Sequence, residues 1–384
     1  MIPRPVPVHQ IEASFQVHPV TALLGPRQCG KTTLARYLAS QEEATVFDLE
    51  DPVDLQRLSV PMQALQNLSG LVILDEVQRK PELFELLRVL VDRPEQNARF
   101  LLLGSASLQL VKGVSESLAG RIGFVDLSGF QLWEVGKQHR DRLWLRGGMP
   151  RAYLADTDAA GTQWRGNFIR TFLERDIPLL GINIAAETLR RFWTMVAHYH
   201  GQIWNAAEFA RALGTAENTA RRYLDILAGA YMVRVLPPWF ENLKKRQVKA
   251  PKIYIRDSGL FHSLLQLSTM DDLRGHPKIG ASWEGFALEH VIGAFQTRDM
   301  YFWATHAGAE LDLMITIAGK RYGFECKYTD APGRSRSMHI AIEDLGLEHL
   351  WVIYPGYREY KLDNRISAIP LEEITQLTER IQAD

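Results

Sequence analysis

The chain is short of cysteine, of one-sided charge and of long apolar runs, and each shortage removes a class of protein. Only two cysteines, Cys29 and Cys326, occur in 384 residues, so no disulfide framework holds the fold and a reducing compartment suits it. Lysine plus arginine nearly balance aspartate plus glutamate, for a formal net charge of −1. Any contact with nucleic acid must then come from local patches and not from the field of the whole molecule. No stretch of about 18 uninterrupted apolar residues occurs, so no membrane span is expected. The first residues, Met1 to Val8, carry three prolines and no apolar run of signal-peptide length. A cytoplasmic protein without a membrane partner is the expectation.

What is present is an ordinary globular composition, 46% hydrophobic and 23% charged. The length exceeds what one core usually supports, so two or three domains are expected. Punctuation and pattern place the boundaries at 1–145, 146–270 and 271–384.

The first segment carries the strongest signal. Val20 to Leu24 is a short apolar run suited to a buried parallel strand. It leads into Gly25-Pro26-Arg27-Gln28-Cys29-Gly30-Lys31-Thr32-Thr33, which fits G-x-x-x-x-G-K-[ST] without a departure, and then into a helical stretch from Leu34 to Ser40. A triphosphate needs many inward-pointing donors, and backbone N–H groups supply them only where the loop curls tightly. Gly25 and Gly30 permit that curl, and the helix N-terminus that follows adds partial positive charge. Lys31 is long enough to reach β- and γ-phosphates, and the Thr32 hydroxyl suits Mg²⁺. ATP and Mg²⁺ are therefore the expected ligands.

A second apolar strand, Gly70 to Leu74, ends in Asp75-Glu76. Asp75 can hold the Mg²⁺ shell and Glu76 can polarise the attacking water; the pair can also cap the helix that follows. A third strand, Arg99 to Gly104, ends at Ser105, which is either a sensor beside the γ-phosphate or a plain turn residue. Arg121 either pairs with a local carboxylate or reaches a neighbouring subunit's γ-phosphate as an arginine finger.

The P-loop, Leu74-Asp75-Glu76-Val77-Gln78, Gly104-Ser105-Ala106-Ser107, Leu118-Ala119-Gly120-Arg121 and Leu127-Ser128-Gly129-Phe130 together resemble the AAA-type ATPases of bacteria and archaea. More narrowly, they resemble the subgroup whose C-terminal domain is of unknown function. That resemblance implies an ATPase, commonly a homo-oligomeric ring with a hexamer as one candidate size, and no settled substrate.

The middle segment reads as helical. A helix over Ala206–Leu213, a turn at Gly214 and a helix over Ala216–Ala228 give a helix-turn-helix outline, with Val233 to Leu236 opening a wing. Arg221, Arg222 and the basic run containing Lys244, Lys245 and Arg246 and ending at Lys252 are candidate DNA contacts. A packing module with a solvated hairpin is the plainer alternative.

In the last segment, an amphipathic helix around Trp283–His290 precedes strands at Ala309–Ile317 and Arg321–Tyr328, joined by a turn at Gly319-Lys320. Glu325 and Lys327 are two apart and share a face, with Asp312 on the partner strand and Glu284 on the helix. An acid on one strand and Glu-x-Lys on the next resembles the PD-(D/E)XK nuclease pattern, in which carboxylates hold Mg²⁺ and the lysine orients water. Such domains either cut DNA or only bind it. The expected architecture is an α/β P-loop AAA-type parallel-sheet domain, a helical and winged-helix middle, and an α/β nuclease-like end. The expected function is an ATP-driven ring that remodels duplex or branched DNA. A switch acting on protein partners and an ATP-regulated nuclease are its rivals.

Overall fold

The structure is a computed structural model that describes residues 2–94, 97–105, 117–179, 181–240 and 247–383. The chain divides into two compact units, Met1–Gly129 with Gly229–Tyr231, and Phe130–Ala228 with Met232–Asp384. The segments 146–270 and 271–384 thus lie almost wholly within one unit.

In the first unit, β1 (Val20–Gly25), β2 (Ala44–Asp48), β3 (Gly70–Asp75), β4 (Ala98–Ser105) and β5 (Ile122–Asp126) form one parallel sheet in the order β2-β3-β4-β1-β5. Alternate residues face opposite sides, and both sides are covered. Val20, Ala22, Leu24, Val72, Leu74, Phe100 and Leu102 pack with Leu83, Phe84, Leu87 and Leu90 of helix Leu83–Val91. Leu23, Leu71, Ile73, Leu101 and Leu103 pack with Ile11 of helix Pro5–Val17 and with Leu34, Ala35 and Leu38 of helix Lys31–Ala39. Burial on both faces explains why these strands read as continuous apolar runs. The parallel register aligns Gly25 with Ser105 and Asp48 with Asp75, so the polar residues gather at the carboxyl edge, where open α/β sheets bind ligands.

The second unit begins with helices, among them Asp158–Thr171, which runs into a π-helical turn at Phe172–Asp176, and Ala186–His198. A three-stranded sheet follows, ordered β6-β8-β7, from β6 (Gln202–Ile203), β7 (Val233–Leu236) and β8 (Lys252–Ile255). Between β6 and β7 stand helices Ala206–Leu213 and Glu217–Gly229, separated at Gly214. The last part is a six-stranded mixed sheet built from β9 (Met300–Ala304), β10 (Glu310–Ile317), β11 (Lys320–Cys326), β12 (His349–Tyr354), β13 (Tyr360–Asp363) and β14 (Ile366–Pro370). Its order is β13-β14-β12-β11-β10-β9. Parallel-sheet P-loop unit, helical middle and terminal sheet match the expected fold class.

Two local expectations are corrected. The β10–β11 turn falls at Ala318-Gly319, both at positive φ, and Lys320 already pairs with Ile317 as the first residue of β11. Two positive-φ residues match the twist of a tight antiparallel hairpin. Helix Ile279–Phe295 is not amphipathic: Trp283, Gly285, Phe286, Ala287, Leu288, Glu289, His290, Val291 and Ile292 are all buried. Glu289 tolerates this because Arg234 and Arg256 bind both its carboxylate oxygens. Burial pushes its carboxyl upward, but the two arginines bring it down to about 2.

Candidate functional site

The P-loop connects the end of β1 to the start of helix Lys31–Ala39. A Cβ on Gly25 would lie 2.1 Å from the Leu127 carbonyl oxygen, so only glycine fits there. Gly30 takes φ 101°, and Gln28 holds a left-handed φ of 63° without being glycine, an uncommon conformation that marks a constrained loop. Pro26 and Cys29 are buried, Arg27 and Gly30 half-buried, Gln28 and Thr33 exposed. The Lys31 ammonium, 7% exposed, donates to the carbonyls of Gly25 at 3.0 Å and Pro26 at 2.9 Å. The loop's own carbonyls thus satisfy the Lys31 ammonium directly.

Thr32 Oγ1 donates to Asp75 Oδ2 at 2.7 Å, joining the P-loop helix to the tip of β3 across 43 positions of sequence. Asp75 Oδ1 accepts the Glu76 N–H at 2.9 Å. Burial pushes the Asp75 carboxyl above its ordinary range, against the lowering effect of Thr32. Glu76 is raised too, first by burial and against its hydrogen bond from Gln78 and the charge of Lys31. Its backbone is left-handed, φ 54° and ψ 43°, which turns the chain sharply at the strand tip. A threonine hydroxyl bonded to a buried carboxylate, with a half-buried glutamate beside it, is a donor set suited to a hard divalent cation.

Ser105 is the last residue of β4, in register with Gly25; its side chain lies outside the described residues, as do Ala106 and Ser107. Arg121 pairs with Asp92 through two bonds, Nε–Oδ1 at 2.6 Å and Nη2–Oδ2 at 2.7 Å, the local-carboxylate alternative. Sequence reading missed Arg4. Its guanidinium, 9% exposed, donates to the carbonyls of Cys29, Ser128 and Gly129. It therefore ties the P-loop to the segment after β5. A lone arginine ahead of a proline-rich helix start gives no pattern that would reveal this.

The second unit gathers another set. Helix Ile279–Phe295 supplies Glu284, β10 supplies Glu310 and Asp312, and β11 supplies Glu325 followed by Lys327. The ammonium of Lys252, on β8, lies among them. It is 3.4 Å from Glu284 Oε1 and 3.3 Å from Asp312 Oδ1, and it also pairs with Glu310. Tyr254 donates to Glu284 Oε1 at 2.7 Å, and the Cys326 N–H donates to Asp312 Oδ2 at 3.0 Å. Lys327 Nζ is 2.7 Å from Glu325 Oε1, while Glu325 Oε2 is buried with no hydrogen-bond partner. Burial first, and Asp312 second, push Glu284 up to about 7 and Glu325 up to about 8.

The structure therefore brings Glu284, Asp312, Glu325 and Lys327 together, and adds Lys252, Tyr254 and Glu310. Lys252 closes the run read as basic surface, yet it is 2% exposed. The missed signal was its strand: Lys252 and Tyr254 are two apart, as Glu325 and Lys327 are. Arg221 and Arg222 are exposed on helix Glu217–Gly229, Arg221 lying 3.7 Å from Glu217; Lys244, Lys245 and Arg246 lie outside the described residues. Among the described residues, no three His, Cys, Asp or Glu side chains stand arranged to hold a metal, and no helix is long and apolar enough to cross a membrane.

Residues 17–136 match the family described as AAA domain. With the glycine loop at the edge of a parallel sheet, this makes residues 17–136 an AAA-type P-loop domain of the kind ATPases carry. The chain belongs to one family with the proteins named uncharacterized protein Rv2008c of Mycobacterium tuberculosis and uncharacterized protein Mb2031c of Mycobacterium bovis. Each is 52% identical over 93% of this chain and 81% of the relative. Residues 137–271 and 279–374 match two families described as domains of unknown function, DUF8612 and DUF4143. Among solved structures, the Walker-type ATPase PABY2304 of Pyrococcus abyssi is similar at 16% identity. That alignment covers 69% of this chain and 96% of that one, with a TM-score of 0.46.

Proposed function

We propose that the chain is a Mg²⁺-dependent, ring-forming ATPase that binds and remodels duplex or branched DNA, with a nuclease-like phosphodiester site in its terminal sheet. The observation that carries this reading is the convergence of the buried or half-buried carboxylates Glu284, Asp312 and Glu325, from one helix and one hairpin, with the half-exposed Lys327 at their edge.

At the P-loop, Thr32 and Asp75 would hold Mg²⁺, which would supply screening of the triphosphate charge. Lys31 exchanges the carbonyls of Gly25 and Pro26 for phosphate oxygens, and the backbone from Gly25 to Thr33 wraps the phosphates. Glu76 orients the attacking water and accepts its proton; its upward shift brings it nearer the basicity a general base needs. Ser105 stands at the neighbouring strand tip. Arg121 leaves Asp92 to meet the γ-phosphate of an adjoining subunit, which couples hydrolysis to assembly.

The middle of the second unit runs helix, strand, two helices and hairpin, with its sheet ordered β6-β8-β7. That order supports a winged-helix reading, with Arg221 and Arg222 exposed on the second helix of the pair. Lys244, Lys245 and Arg246 fall between β7 and β8 in sequence. In the terminal site, Asp312 and Glu325 would hold a divalent cation, and the partnerless buried Glu325 Oε2 fits that role. The cation would stabilise charge on a phosphodiester, with Lys327 orienting water.

Incubating the full chain with supercoiled plasmid, Mg²⁺ and ATP tests the terminal site. Nicking that disappears in Asp312→Ala and in Lys327→Ala is expected. Absence of DNA binding even at low salt, where phosphate contacts are strongest, would turn the reading toward a switch acting on protein partners. Lys252, already seated among the carboxylates, favours that second reading for the resting chain.

A further inference from the structure

The terminal cluster carries its own cation. Four carboxylates, Glu284, Glu310, Asp312 and Glu325, face two ammonium groups, Lys252 and Lys327. The two lysines are placed differently. Lys327 is half-exposed and bonds one carboxylate, whereas Lys252 is fully enclosed and bonds three. The Lys252 ammonium is held in place by its contacts with Glu284, Asp312 and Glu310 together.

The oxygens a metal would use are mostly taken. Asp312 Oδ1 faces Lys252 and Asp312 Oδ2 accepts the Cys326 N–H. Glu284 Oε1 receives both Lys252 and Tyr254. Glu325 Oε1 belongs to Lys327, and Glu325 Oε2 is the buried carboxylate oxygen of the cluster without a partner. A hard divalent cation needs about six oxygen ligands and strips a carboxylate of competing charge to bind at roughly 2.0–2.4 Å. While the Lys252 ammonium occupies Glu284 Oε1 and Asp312 Oδ1, a divalent cation would have to displace it at those oxygens.

We propose that Lys252 is a tethered cation that holds the metal position of the terminal carboxylate cluster, so that a divalent cation enters only as the Lys252 side chain withdraws. The proposal rests on the nuclease-like reading of the cluster and sharpens it: the site is closed in the resting chain. The lock comes from β8, the central strand of the β6-β8-β7 sheet, whereas the carboxylates come from helix Ile279–Phe295 and the six-stranded sheet. Lys252 is thus a positioning and gating residue, distinct from Lys327 of the Glu-x-Lys pair.

The test is Mn²⁺ binding to the full-length, nucleotide-free chain, followed by the electron paramagnetic resonance of free Mn²⁺. All variants carry Asp75→Asn, which removes the P-loop carboxylate as a rival ligand. Lys252→Met is expected to bind Mn²⁺ at least tenfold more tightly than the chain with native Lys252. Lys252→Arg, which keeps the charge, should show no gain, and adding Asp312→Asn to Lys252→Met should erase the gain. Should Lys252→Met not fold, Lys252→Gln makes the same comparison with a polar side chain. Equal affinity with and without the lysine, or weaker binding in its absence, overturns the proposal. The readout is affinity and not cleavage. A chain that never nicks DNA but gains Mn²⁺ on losing Lys252 refutes the nuclease reading and keeps the lock. One that nicks DNA while its Lys252 variants bind like the native chain refutes the lock alone.

Discussion

The two sites of this molecule solve opposite problems with the same pair of charges. At the P-loop, Lys31 rests on neutral carbonyls, and its charge is left for an incoming phosphate. In the terminal cluster, Lys252 rests on three carboxylates, and its charge is spent within the protein. The first site is built to receive an anion; the second already holds a cation. A buried lysine therefore says nothing until its partners are known. Removing either lysine should show the difference.

The largest effect is expected at the P-loop. Lys31→Ala should reduce ATP turnover at least about 1000-fold, because the phosphates lose their buried counter-charge. Mn²⁺ binding by the terminal cluster should not change, and a parallel change in both would break the contrast between the sites. Glu76→Gln should lower kcat about 100-fold while leaving ATP binding in place, the signature of a lost general base. Equilibrium binding of a fluorescent ATP analogue alongside steady-state hydrolysis separates the two substitutions.

Smaller effects concern stability. Arg4→Ala leaves the carbonyls of Cys29, Ser128 and Gly129 without their charged donor, and about 2–3 kcal/mol of the first unit's stability should go with it. Denaturant unfolding followed by a probe in that unit reads this. The smallest effect is expected from Glu325→Gln. The Glu325 carboxyl is raised to about 8, so its contribution to stability is full below the ordinary carboxylate range and is lost as pH rises through 8. The glutamine variant should therefore be more stable than the native chain by about 1 kcal/mol at pH 8, with the gain shrinking toward pH 5. Unfolding midpoints measured at both pH values check the sign.

How much of this was legible in the sequence follows from how local each site is. Gly25 to Thr33 is contiguous, and its strand, loop and helix are read in order, so the P-loop needs no knowledge of the fold. Asp75 and Glu76 are 43 and more positions from Thr32, yet an apolar strand ending in acid beside a P-loop identifies them. The terminal cluster was legible only in part. Glu325 and Lys327 share a face by strand period and Asp312 lies on the partner strand, but Lys252 reaches the same point from another sheet. Its place at the end of a basic run disguised it as surface charge. Arg4 meets the P-loop through three backbone carbonyls, a contact that leaves no trace in side-chain pattern. The buried faces of helix Ile279–Phe295 were hidden for a related reason: Glu289 looks like a solvent residue until Arg234 and Arg256 are seen beside it.

The most direct test of the account is ATP hydrolysis by the full chain with and without duplex, single-stranded and four-way-junction DNA, at low and moderate salt. Salt-sensitive stimulation by duplex or junction DNA, absent in Lys31→Ala, is the predicted result. Hydrolysis that ignores every DNA, with no binding at low salt, would contradict a DNA-remodelling role and leave an ATPase whose partner is a protein.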